Sequence, residues 1–153
     1  RFEDNRFDRH DLLDIIKAIE PVFKRHQPRM VFTNHPGDLN IDHRRTFEAV
    51  ITALRPGTQK RLTHLFSLEV PTSTDWGLPG NVFQPNWFVD IHDVLEEKLS
   101  LLKLYSSELK EDPHPRSLQG IRERALQWGR ICGVKAAEAF VLQRHVARSD
   151  NNE

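Results

Sequence analysis

Cysteine is nearly absent from this 153-residue chain. The lone Cys132 rules out an internal disulfide, and no C-x-x-C pair exists to hold a metal or run redox chemistry. Its place on an apolar helical stripe predicts a small core residue. No H-x-x-x-H pair occurs either. Charge of one sign is not in excess: Lys+Arg and Asp+Glu stand at 22 each. With no long basic run, the electrostatic footprint of a nucleic-acid binder is missing. No apolar run approaches the roughly 20 residues that cross a bilayer, and the opening "RFEDNRFDRH" has no signal-peptide core. These absences predict a soluble, cytoplasmic protein with no membrane span and no nucleic-acid partner. Internal repeats are absent, and the only low-complexity stretch is the polar tail "RSDNNE". Hydrophobic content of 38% and charged content of 29% fit a globular chain. Its length suits a single domain over residues 1–147, with 148–153 as a tail.

Apolar periodicity locates the elements. Leu12, Ile15, Ile16, Ile19 and Phe23 recur at helical spacing over about residues 10–27, with Pro21 expected to kink or pause the last turn. "RMVFT" follows as a short buried strand between Pro28 and the Asn34/Pro36/Gly37 cluster. Phe47, Val50, Ile51 and Leu54 mark a second helix that ends near Pro56 and Gly57. "THLFSLEV" reads as another strand, and "PTSTDWGLPGN" as a loop long enough to carry function. A short strand is expected in "VFQPNWFVDI". Asp93 with Glu96 predicts a capping box for a helix striped with Leu95, Leu99, Leu102 and Leu109. Ser117 is placed to cap a last helix that buries Leu118, Ile121, Ala125, Trp128 and Cys132 and stops at Gly133. "AEAFVLQRHV" supplies a final strand. Helices alternating with strands predict an α/β, Rossmann-like layered fold, with a largely parallel sheet flanked by helices.

The chemistry concentrates in "TNHPGDLNIDHRRT", residues 33–46. In open α/β sheets, ligands gather where strand ends lead into helix N-termini, and this stretch occupies that place. His43 falls in the first helical turn on the face directed at the sheet. An imidazole held on a helix is a good zinc ligand, and a carboxylate such as Asp42 can orient it, with His35 and Asp38 on the loop before. The same "N-x-D-H" run also reads as a simple helix cap. A catalytic zinc needs three protein ligands. Only one is convincing here, unless His35, Asp38 and His43 converge on a single ion.

"TNHPGDLNIDHR" resembles the second metal motif of the LmbE-like (PIG-L-type) zinc-dependent de-N-acetylases. "DNRFD", "EVPTSTDW", "FQPNWFVDI", "KLSLLKLYSSEL", "PHPRS" and "AEAF" are similar to further family segments and follow in the family's order. The resemblance thus covers nearly the whole chain. It implies a zinc-dependent hydrolase that removes the acetyl group from an N-acetylated amino sugar of the N-acetylglucosamine type or a conjugate of it. His43 would be the third zinc ligand, and Asp42 the neighbour that orients a catalytic imidazole. Many members read "H-P-D-H", and Asn40 stands where the first His would stabilise the oxyanion. An amide can donate a hydrogen bond there but can carry no charge. His35 is a candidate to take over that role, against a plain reading as a partly buried structural histidine.

The family's opening "A-H-P-D-D-E", which supplies two ligands and the general base, does not occur. Residue 1 is Arg rather than Met, so the chain is expected to be the C-terminal part of a deacetylase, without its N-terminal strand or strands and inactive alone. Its loss predicts marginal stability or homo-oligomer formation through exposed apolar surface. Trp76 is a candidate for stacking on a sugar face and Arg116 for binding anionic or hydroxyl-rich groups, against plain readings as a loop anchor and an ion pair. Glu138 matches a family position, while Ala136 replaces a Tyr found in relatives. His10, His26, His64, His92, His114 and His145 read as surface or capping residues. The competing class is a non-catalytic module that keeps the fold to bind a carbohydrate or a protein.

Overall fold

The computed structural model describes residues 2–147, so the tail 148–153 lies outside the described residues. The described residues divide into two compact units, residues 2–84 with 141–147 and residues 85–140. Four strands form a sheet in the order β1-β2-β4-β3: β1 Met30–Asn34, β2 His64–Leu68, β3 Trp87–Asp90 and β4 Ala137–His145. The architecture is mixed α/β, with helices flanking the sheet. β1 and β2 run parallel and β3 and β4 antiparallel, so the sheet is less uniformly parallel than the element alternation suggests.

In the first unit, α1 (Leu12–His26) and α2 (Ile41–Ala53) pack on each other. The helix α1 runs through Pro21 without ending there. Ile15 and Ile16 bury themselves against Ala49 and Ala53, helped by Phe2, Phe7, Ile19 and Phe23. Two alanines one turn apart offer α1 a shallow groove, which lets the larger isoleucines interdigitate. On its other side α2 joins Val50 and Leu54 to Leu62 and Leu65, with Val31 of β1 against them. Thus α2 is the crossover that parallel pairing of β1 and β2 requires. The guanidinium of Arg144 donates to the Leu54 carbonyl at the end of α2.

In the second unit, α3 (Leu95–Leu102) and α4 (Leu118–Cys132) bury Leu95, Leu99 and Ala125 with Ile91 and Ala136. Ser117 caps α4 by accepting from the Gly120 N–H at 2.9 Å, and Gly133 ends it at φ 85°. The expected Asp93–Glu96 capping box does not form. A 3-10 turn over His92–Val94 leads into α3 and takes Asp93 inside the turn, so the residue ahead of α3 is Val94, with no side-chain cap. Asp90 instead accepts from the His92 N–H at 3.0 Å. Glu96 pairs with Arg122, whose hydrogen bond holds the Glu96 carboxyl below its usual range. Cys132 is exposed rather than buried. Gly129 takes the inner position, because a Cβ there would lie 2.7 Å from the backbone of residues 134–136. No helix of the described residues is long and apolar enough to cross a membrane.

Candidate functional site

The site grows from the end of β1. Residues 35–40 leave the strand, meet the 71–81 loop, and enter α2. Gly37 makes the meeting possible: a Cβ on it would stand 2.3 Å from the Asn81 carbonyl oxygen. The two loops are tied by the Leu39 N–H to Ser73 O at 2.7 Å and the Leu78 N–H to Gly37 O at 2.8 Å. Arg44 reaches back from α2 and donates to the carbonyls of Asp38 and Leu39 at 2.6 and 2.7 Å. Within the second loop Thr72 sits at φ 77°, an uncommon conformation for a β-branched residue. Asp75 supports it by accepting from the Thr72 N–H at 3.0 Å.

Asp38 lies at the centre of this junction and is wholly buried. Its Oδ1 accepts from the Thr74 hydroxyl at 2.7 Å, and its Oδ2 faces His43 Nδ1 at 2.8 Å. The His43 side chain keeps 23% of its surface exposed. His43 is thus a half-buried imidazole with one nitrogen tied to a buried carboxylate and the other, Nε2, at the far side of the ring.

The neighbouring candidates take other partners. Asn40 is the N-cap of α2: its Oδ1 accepts from the N–H groups of Asp42 at 2.8 Å and His43 at 3.4 Å, while its Nδ2 donates to Asn5 at 3.3 Å. Asp42 accepts from the backbone N–H groups of Phe7 at 3.0 Å and Arg6 at 3.3 Å, pinning the 3-10 turn Phe7–Arg9. The carboxylate that contacts the His43 imidazole is therefore Asp38, not the adjacent Asp42. His35 is buried, with Nε2 3.0 Å from the Asn81 carbonyl and its ring edge-on to Phe83. A carbonyl accepts only, so that nitrogen carries the proton. His35 Nδ1 is buried with no hydrogen-bond partner among the described residues.

No group of three or more His, Cys, Asp or Glu side chains among the described residues is placed to hold a metal ion. The His35/Asp38/His43 cluster is accordingly no self-contained metal centre. Trp76 stands in the 71–81 loop with 56% of its surface exposed. Arg116 belongs to the second unit, where it pairs with Glu108 at 2.8 Å. There too Glu138 pairs with Lys98. His114 has a local duty, its Nδ1 accepting from the Arg116 N–H at 3.0 Å. Thr74 escaped the sequence reading, since its partner is 36 positions away in the chain and no local pattern joins them.

No family model and no curated protein matches the chain. Solved structures do. N,N'-diacetylchitobiose deacetylase from Pyrococcus horikoshii superposes with a TM-score of 0.70 at 21% identity, over 94% of this chain and 55% of its own. A zinc-inhibited form of teicoplanin deacetylase Orf2 gives 0.63 at 19%, over 92% and 53%. GalB, the 4-carboxy-2-hydroxymuconate hydratase from Pseudomonas putida KT2440, gives 0.63 at 18%, over 92% and 62%. The chain therefore spans between about half and two thirds of the length of these structures. Its fold is that of these solved structures, two of which are deacetylases. A hydratase shares that fold, so the reaction must be argued from the site.

Proposed function

We propose that this chain is part of a zinc-dependent de-N-acetylase that hydrolyses the acetamide of an N-acetylated amino sugar or its conjugate, and that His43 is one of its metal ligands. One observation carries the reading: the His43 ring is anchored through Nδ1 to a buried carboxylate, so Nε2 is the nitrogen left to meet an ion. Helix-borne imidazoles oriented in this way are the usual zinc ligands. Zinc, when bound, polarises the amide carbonyl and brings the pKa of a bound water to about 7. His43 would be a ligand of the ion, and Asp38 holds the His43 ring. Asn40, its oxygen used by the helix cap and one N–H by Asn5, keeps a second N–H for a developing oxyanion. The exposed Trp76 offers an apolar face for a sugar ring. Arg116, engaged by Glu108, keeps its guanidinium for substrate only if that pair opens.

No group of three metal-ligating side chains lies among the described residues, which keeps a second reading in view. A chain with one ligand of three could retain the fold to bind a carbohydrate or a partner protein without hydrolysing anything. The deciding experiment follows acetate release from N,N'-diacetylchitobiose by the native full-length protein with zinc, beside His43→Ala. Zinc-dependent release, lowered in the variant by at least the roughly 10–100-fold that loss of a metal site's outer partner brings, supports the enzyme. Sugar binding without release, or release indifferent to His43, overturns it.

A further inference from the structure

Asp38 combines complete burial with engagement of both carboxylate oxygens, and the direction of the Thr74 bond follows from the far end of the chain of contacts. The Val70 backbone N–H can only donate, and it meets Thr74 Oγ1 at 2.8 Å. The Thr74 hydroxyl accepts there and directs its single proton to Asp38 Oδ1. An ionised carboxylate has acceptors only, so the proton between Oδ2 and the imidazole resides on His43 Nδ1. A neutral His43 then carries its lone pair on Nε2.

We propose that Asp38, itself fixed by Thr74, is a positioning residue that sets the tautomer and ring orientation of His43, so that Nε2 alone is offered to a zinc-like divalent cation. This rests on the metal-ligand reading of His43 given above. It also makes the 71–81 loop part of the site, although Thr74 touches neither ion nor substrate. The backbone ties from Ser73 to Leu39 and from Leu78 to Gly37 hold Thr74 in register with Asp38. An error of register would break the relay at its middle link.

The test reads the ring itself. Long-range proton–nitrogen correlation spectra of the metal-free protein, taken at a pH where the imidazole is neutral, report which nitrogen is protonated. His43 is expected in the Nδ1–H form. In Asp38→Asn the Thr74 proton still needs an acceptor, so the amide oxygen turns toward Thr74 and the amide N–H toward the ring. His43 is then expected to switch to the Nε2–H form, closing the metal-facing lone pair. Adding Thr74→Val to Asp38→Asn frees the amide to turn over and is expected to give a mixture of forms.

Zinc affinity of the full-length protein should fall about 10–100-fold in Asp38→Asn. A wild-type His43 in the Nε2–H form overturns the proposal, and this spectrum needs no variant to fold. A folded Asp38→Asn that keeps the wild-type tautomer overturns it equally. An Nδ1–H ring in a full-length protein that takes up no zinc overturns the metal reading of His43 while leaving the tautomer assignment in place.

Discussion

Asp38 and Asp42, two carboxylates at the start of α2, serve different masters. Successive helical residues point about 100° apart, so a side chain does not face its immediate neighbour in the helix. Asp42 therefore turns from His43 to the N–H groups of Arg6 and Phe7, while Asp38, on the loop before the helix, folds back onto the ring. The motif made the cluster legible but not its wiring. Adjacency in sequence points to Asp42 as the neighbour of the His43 ring, whereas the contact with the ring is made by Asp38. Asp42→Ala strips two backbone donors of their acceptor and is expected to cost about 1–3 kcal/mol in urea unfolding. It should leave the His43 tautomer unchanged in the same spectra; a switch there would return the orienting role to Asp42. Gly37→Ala is expected to cost about 1–3 kcal/mol, as overpacking does, because its Cβ would press on the Asn81 carbonyl that receives the His35 proton.

The elements were read well where the signal is periodic and poorly where competing partners decide. Stripes of apolar residues placed α1, α2 and the strands, and Ser117 and Gly133 bounded α4. The Asp93–Glu96 box failed because the 3-10 turn supplies an alternative entry to α3 and Arg122 claims Glu96 from another helix. Cys132, the last residue of α4, is exposed, while Gly129 fills a tight inner position where a Cβ would meet backbone. The Glu96–Arg122 pair carries a pH signature. The hydrogen bond from Arg122 lowers the Glu96 pKa, so whatever the pair contributes is present above the unfolded carboxyl value and lost as pH falls through the folded one. Carbon-detected NMR titration should find Glu96 titrating at more acid pH than an ordinary glutamate, and returning to the ordinary range in Arg122→Gln. Between α1 and α2, Ile15→Ala empties a site that Ala49 and Ala53 are too small to refill. A loss of about 2–5 kcal/mol is expected by chemical denaturation.

For the molecule as a whole, the parallel β1–α2–β2 unit was foreseeable, since a strand, a helix and a strand in succession have few other ways to pack. The antiparallel β3–β4 pair was not, because it joins segments almost 50 residues apart with no turn between them to announce it. The order of strands has a consequence for association. Among the described residues β1 ends the sheet, and on it Met30 and Phe32 remain 47% and 46% exposed, Phe32 stacked on Phe66 at 5.2 Å. An edge strand that carries exposed apolar side chains is a place where strands of other chains can add. The chain of residues 1–153 is accordingly expected to self-associate, its mass by light scattering rising with concentration. Met30→Lys sets a charge on that edge without touching the α1–α2 core or the His43 site, and should shift the mass toward the monomer. A wild-type chain that stays monomeric at all concentrations and melts in one cooperative step would show that the β1 edge is protected and that the exposed pair of side chains carries no such cost.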